Sequence, residues 1–202
     1  MENLKLSTFD VFAYLLPGLV VLLAATLLFS PNLVRLADLA ITFQGINVSS
    51  GIIAAIIAYV FGGVIDYLGS HLYYGVGCRI WGMPYSKERH SKLTHAQQRA
   101  LVLHYSPENY AELQTWKLQK RMSANLSFSL VLVFVVSAIH LGKISTIDWV
   151  FLGIVSLFSA LVLLKRAYAF DTWHYSQLLG TIQVLHLEKR AEIDAQFNEP
   201  NT

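Results

Sequence analysis

Charge is scarce in this chain. Of its 202 residues, 14% are Asp, Glu, Lys or Arg and 54% are hydrophobic, whereas an ordinary soluble domain is about a quarter charged. Cysteine is nearly absent. Cys78 stands alone, which excludes an internal disulfide framework and a thiolate metal cluster and leaves a small apolar residue near a helix end. Several catalytic signatures are missing as well: no His-Glu-x-x-His pair, no nucleophile elbow and no glycine loop following a strand. Gly62, Gly63, Gly69, Gly75 and Gly77 all fall within or at the end of one apolar run. The net charge of +2 is too small to imply nucleic acid by itself, and nothing in the sequence calls for a cofactor or a metal.

What is present is grease, gathered into blocks rather than spread along one helical face. That pattern predicts lipid as the solvent. The first block, Val11 to Phe29, has nineteen residues without a charge, enough for about 28 Å of hydrocarbon. No small-x-small cleavage pattern follows it, and Glu2 and Asp10 flank its only nearby cation, Lys5, so a retained span is expected. Ser7-Thr8-Phe9-Asp10 reads as a capping box, with Asp10 a helix-start residue. Pro17-Gly18 predicts a kink whose freed carbonyl needs a neighbouring helix. A second block runs from about Ile52 to Val76, with Ala54, Ala58, Gly62, Asp66 and Ser70 in one stripe of four-residue spacing. Such a stripe lets helices approach closely. Third and fourth spans are expected at about 123–141 and 149–166, the latter ending at Lys165-Arg166.

The long polar stretch lies between the two hairpins. A helix is expected over about 92–104, with Leu93, Ala96, Ala100 and Leu103 on one side. The next helix starts with Ser106 as N-cap and Pro107 in the first turn, then continues into the third span. Beyond 171, Leu178, Ile182 and Leu185 fall at helical spacing, with Trp173 and Tyr175 as interface anchors. The predicted organisation is therefore all-α: a transmembrane hairpin in 1–76, a basic cytoplasmic helical loop in 77–122, a second transmembrane hairpin in 123–170, and a cytoplasmic amphipathic helix and tail in 171–202. Thirteen of the fifteen Lys and Arg fall on the side of the two termini, while Arg35 and Lys143 lie in the other loops. The positive-inside rule then places both termini on the cytoplasmic side of the membrane.

Asp66 is the first candidate for function, because a carboxylate within a span is costly unless paired, wet or protonated. Arg121 and Asn125, one turn apart at the start of the third span, are its expected partners. The simpler role is a polar clamp; the sharper one is lining or gating a pore. His71 is a further candidate for this polar network; it follows Asp66 and Ser70, but three residues so close on one helix do not readily converge as a triad. His90, His95 and His104 lack the spacing of metal ligands on one face, and His140 reads as an interfacial residue. Ser123, Ser127, Ser156 and Ser159 suit helix packing, or else a water-filled path between several copies. Arg79, Lys87, Arg89, Lys92, Arg99, Lys117 and Lys120 are an orientation signal for the membrane, or else a basic collar for a cytosolic anion such as a nucleotide or oligonucleotide.

Three stretches carry a resemblance: Thr8-Phe9-Asp10-x-x-x-Tyr14-Leu15-Leu16-Pro17-Gly18, the Gly62-Gly63 and Gly69-x-His71 run, and Arg121-x-x-x-Asn125. Together they resemble small bacterial inner-membrane proteins of anti-phage operons, and among these the membrane effector of Hailong-type defence. The resemblance spans about a third of the chain. It implies an oligomeric ion channel, opened by a nucleic-acid signal from an operon-encoded nucleotidyltransferase partner, that arrests growth. It also implies a non-enzymatic role. The expectation is thus a homo-oligomeric, ligand-gated pore. Its rivals are a membrane anchor that recruits a cytosolic partner through 79–124, and a lipid enzyme using Asp66 and the histidines.

Overall fold

Within hydrocarbon every backbone amide needs a partner, and a helix supplies all of them within one segment. In a computed structural model, which describes residues 8–30, 35–39, 44, 47–84, 93–143 and 147–191, the apolar blocks are helices, and no strand occurs among the described residues. Helix α1 covers Thr8–Phe29 and α2 covers Val48–Leu72. The chain continues without a break through a π-helical turn, Tyr73–Gly77, into α3, Cys78–Trp81. Then follow α4, His95–Tyr105, α5, Pro107–Lys143, and α6, Ile147–Val184. Helix α1, the run Val48–Trp81, α5 and α6 are each long and apolar enough to cross a membrane.

The caps explain where the helices begin. Asn47 accepts from Ser50 N at 2.9 Å and starts α2 four residues before the expected Ile52. Thr94 and Gln97 form a reciprocal capping box that starts α4 at His95 rather than near 92. Ser106 does stand at the junction before Pro107, where its hydroxyl accepts from the Asn109 side-chain amide at 2.8 Å. The Ser7–Asp10 cap lies partly outside the described residues.

Helix α5 is central. It packs most extensively on α6 and also on α1, α2 and α4. Where α1 and α2 cross, the backbones themselves touch. A Cβ on Gly18 would run into the Ala58 carbonyl, and one on Gly62 into the Tyr14 carbonyl. The small stripe on α2 is therefore a packing face, with Ala58, Gly62, Ile65 and Gly69 buried. Next to this crossing, the Ser129 hydroxyl of α5 lies 3.1 Å from Pro17 O and 2.9 Å from its own Asn125 O.

Three apolar cores follow one another along the bundle. Ala24, Leu27, Val133, Val136 and Trp149 close one end. Tyr73, Cys78, Ala124, Leu164 and Ala167 form the second. Val102, Leu113, Leu178, Ile182 and Leu187 join α4, α5 and α6 in a third, here termed the head. Meanwhile Ile53, Ile56, Val60 and Val64 of α2 and Phe151, Ile154 and Phe158 of α6 are exposed, a surface suited to hydrocarbon rather than water.

One further boundary differs from expectation. The apolar fourth span and the amphipathic helix after 171 are one helix of 38 residues, about 57 Å long. Asp171 reads as a break only while it is counted as a free charge; here it is buried and paired, so the helix passes through it. As expected, the helix that starts at Pro107 continues into the third span, and α5 runs unbroken for 37 residues from head to far end.

A polar layer at the basic end of the bundle

Asp66 projects from α2 where that helix meets α5. Gly69, three residues on, allows the approach: a Cβ there would collide with Asn125. Asn125, buried to 1% exposure, donates through Nδ2 to Asp66 Oδ1 at 3.0 Å. Arg121 Nε stands 3.9 Å from Asp66 Oδ2, too long for a hydrogen bond. The Asp66 side chain keeps 23% exposure and that of Arg121 42%. One carboxylate oxygen is thus fixed by a buried amide, and the other faces a loosely held cation.

One turn toward the head lies a tighter cluster that sequence reasoning missed. Lys120 Nζ donates to Asp171 Oδ1 at 2.9 Å and to Tyr74 OH at 3.0 Å. Tyr73 OH donates to the other oxygen, Asp171 Oδ2, at 2.8 Å. The Lys120 ammonium also sits 4.6 Å from the Tyr73 ring centroid and 4.9 Å from that of Tyr74, a cation–π arrangement. Both Asp171 oxygens are occupied and the residue is buried. The π turn places Tyr73 and Tyr74 here, since its wider ring rotates the residues that follow α2. A carboxylate inside an otherwise apolar helix, paired with a cation about fifty positions away, was the available signal. It was obscured because Lys120 lies within the basic run.

The remaining candidates separate. Lys120, grouped by sequence with the collar, points inward to Asp171. Arg79 is exposed at the end of the α2–α3 run, and Arg99 and Lys117 are half-buried in the head. Lys87, Arg89, Lys92 and His90 lie outside the described residues. His71 is exposed and edge-on to Tyr67, with ring centroids 4.3 Å apart, so it does not join Asp66. Ser123, Ser127 and Ser156 are buried within one chain. Ser127 donates to Ala160 O across the α5–α6 pair at 2.8 Å, and Ser156 to Leu152 O at 2.7 Å. These hydroxyls serve packing; Ser159 is only partly covered.

The histidines are dispersed. His140 is buried inside the bundle, bonded to Leu27 O at 2.8 Å and stacked 4.3 Å from Trp149. His104 is exposed beside Tyr105. His95 and His174 meet in the head with ring centroids 5.9 Å apart. Burial, then the Arg99 guanidinium, holds the His95 imidazole below its ordinary value. No group of three metal-ligating side chains occurs among the described residues.

Chemically, this layer offers fixed charge rather than a nucleophile with a base. The Asp171 cluster is closed. The Asp66 cluster is half-open, with a weak guanidinium contact and a partly exposed carboxylate. Set against family models, curated proteins and solved structures, the chain matches none of them.

Proposed function

We propose that the chain is a subunit of an oligomeric membrane pore, gated from its basic end, with that end and both termini in the bacterial cytoplasm. The observation that carries this reading is Asp66. It belongs to an apolar helix, yet its side chain remains 23% exposed on the single chain. A carboxylate facing hydrocarbon there would cost several kcal/mol, on the order of 3. Contact with water or with another copy removes that cost. Because the buried hydroxyls of α5 and α6 are used inside one chain, a water path has to run between copies.

Three further features support it. Lys and Arg concentrate at the end that carries Arg121, as the positive-inside rule requires. Helices α5 and α6 run unbroken from the head into the apolar belt, so a movement of the head reaches the belt without a hinge. The resemblance to Hailong-type effectors adds depolarisation in anti-phage defence as the biological output.

The test is Asp66→Ala in cells, read with a voltage-sensitive dye alongside the amount of inserted protein. Altered depolarisation at normal insertion is the expected outcome. Wild-type depolarisation from the variant would remove Asp66 from the pathway. A membrane anchor is the second reading, favoured by the self-contained head core of Val102, Leu113, Leu178 and Leu187. It predicts that overexpressed wild-type protein leaves the membrane potential unchanged.

A further inference from the structure

The head contains cationic groups that form no ion pair with a carboxylate among the described residues. Among the described residues the ion pairs are Lys120–Asp171 and Arg121–Asp66, and Arg99 and Lys117 belong to neither. The Arg99 Nε and His95 Nδ1 atoms are buried and have no hydrogen-bond partner. An unpaired buried donor or acceptor costs about 1–3 kcal/mol, more when charged, so two on adjacent turns of one helix call for an occupant. His95 and Arg99 are four residues apart on α4 and share a face. Across from them stand His174 and Tyr175 of α6, with His95 to Tyr175 ring centroids 4.8 Å apart. From α5, Tyr110 lies under the Arg99 guanidinium and accepts from Arg99 Nη2 at 3.3 Å.

We infer that His95 and Arg99 form a binding site for a phosphate group between α4, α5 and α6. Phosphate suits it better than a lone carboxylate. It carries up to two negative charges and several strong acceptor oxygens, and a guanidinium with a free Nε–H meets it edge-on through two donors. The level of the site in the molecule allows two sources. His174 and Tyr175 follow Trp173, which clusters with Trp116 and Phe170 at ring separations of 5.3 and 5.5 Å. Such aromatic groups mark the headgroup level of a bilayer, so both a lipid headgroup and a free phosphate compound could reach it. A role for this site in gating rests on the pore reading above; binding itself does not.

The test uses the full chain in lipid-free detergent, with inorganic pyrophosphate as probe and chloride at matched ionic strength as control. Pyrophosphate should raise the Tm saturably. Arg99→Gln should weaken the apparent affinity at least about tenfold, since it removes one charge-assisted contact, while Arg79→Gln, at an exposed cation elsewhere, should not change it. If Arg99→Gln fails to fold, Arg99→Lys keeps the charge but loses the Nε donor, and should still weaken binding severalfold. In nanodiscs, a headgroup in the site predicts that phosphatidylglycerol removes the pyrophosphate effect seen in phosphatidylcholine; a free phosphate ligand predicts equal effects in both. Absence of any saturable pyrophosphate effect in detergent, or unchanged affinity in Arg99→Lys, overturns the proposal. Binding without any effect on conductance would retain the site and refute gating.

Discussion

The apolar belt and the head are held together in opposite ways. In the belt, α1 and α2 touch through what is missing: Gly18 against the Ala58 carbonyl and Gly62 against the Tyr14 carbonyl. Polar groups there bond backbone, as Ser127 does to Ala160 O and His140 to Leu27 O. In the head, Val102, Leu113, Leu178, Ile182 and Leu187 fill a conventional core, and α4 lies over α5 and α6. The difference is the one expected between two solvents. Water drives large apolar side chains together, whereas lipid offers no such drive and leaves close backbone contact and hydrogen bonds to join helices. The Lys120–Asp171–Tyr73 cluster lies at the boundary between the two regimes.

The sharpest way to break this comparison is Gly62→Val. Its side chain would enter the Tyr14 backbone, which cannot yield as a side-chain tip can. A loss of 3 kcal/mol or more, at or beyond the upper end of overpacking effects, is expected in detergent melts, with α1 detaching as judged by limited proteolysis. Gly63→Ala, where nothing lies within 4 Å, should be close to neutral. Next in size is Asp171→Asn, which leaves Lys120 half-paired and mostly buried. About 3 kcal/mol should be lost, and the Lys120→Met, Asp171→Leu double variant should recover most of it. Loss equal to that of the single variant would show that the pair does more than neutralise itself.

Smaller effects belong to the head. Thr94→Ala removes the α4 cap and should cost about 1 kcal/mol, seen as faster amide exchange in α4 alone. The smallest is a pH effect at His95, faced by Arg99 on its own helix, Lys117 on α5, and Asp171, His174 and Tyr175 on α6. Burial and Arg99 hold its pKa below the ordinary value, so its neutral form favours the fold. That contribution is complete above the ordinary histidine range and is lost as pH falls through the lowered one. Packing of α4 should therefore loosen as pH falls below the ordinary histidine value of about 6.5, and His95→Gln should flatten the response.

Much of the belt was legible from sequence because lipid imposes a simple rule. Long uncharged runs must be helices, and Ala58 and Gly62 at four-residue spacing must be a crossing. That Asp66 needs partners is equally forced by the cost of its charge, and Asn125 and Arg121 stand beside it. What could not be read depends on pairing at a distance. Asp171 reads as the end of a span because its partner, Lys120, lies 51 positions earlier in a basic run. The π turn has no local signature, and Tyr73 carries no signal until Asp171 is placed against it. Arg99 and Lys117 cannot be told from the collar cations by composition; only the fold shows which charges remain unanswered.

The central claim, that copies of this chain enclose an ion path past Asp66, is tested most directly by single-channel recording on the purified oligomer in a planar bilayer. Discrete openings whose conductance or cation preference changes in Asp66→Asn are predicted. A monodisperse, correctly folded protein that gives no openings under any applied voltage or phosphate probe, or openings that ignore the Asp66 substitution, would contradict it.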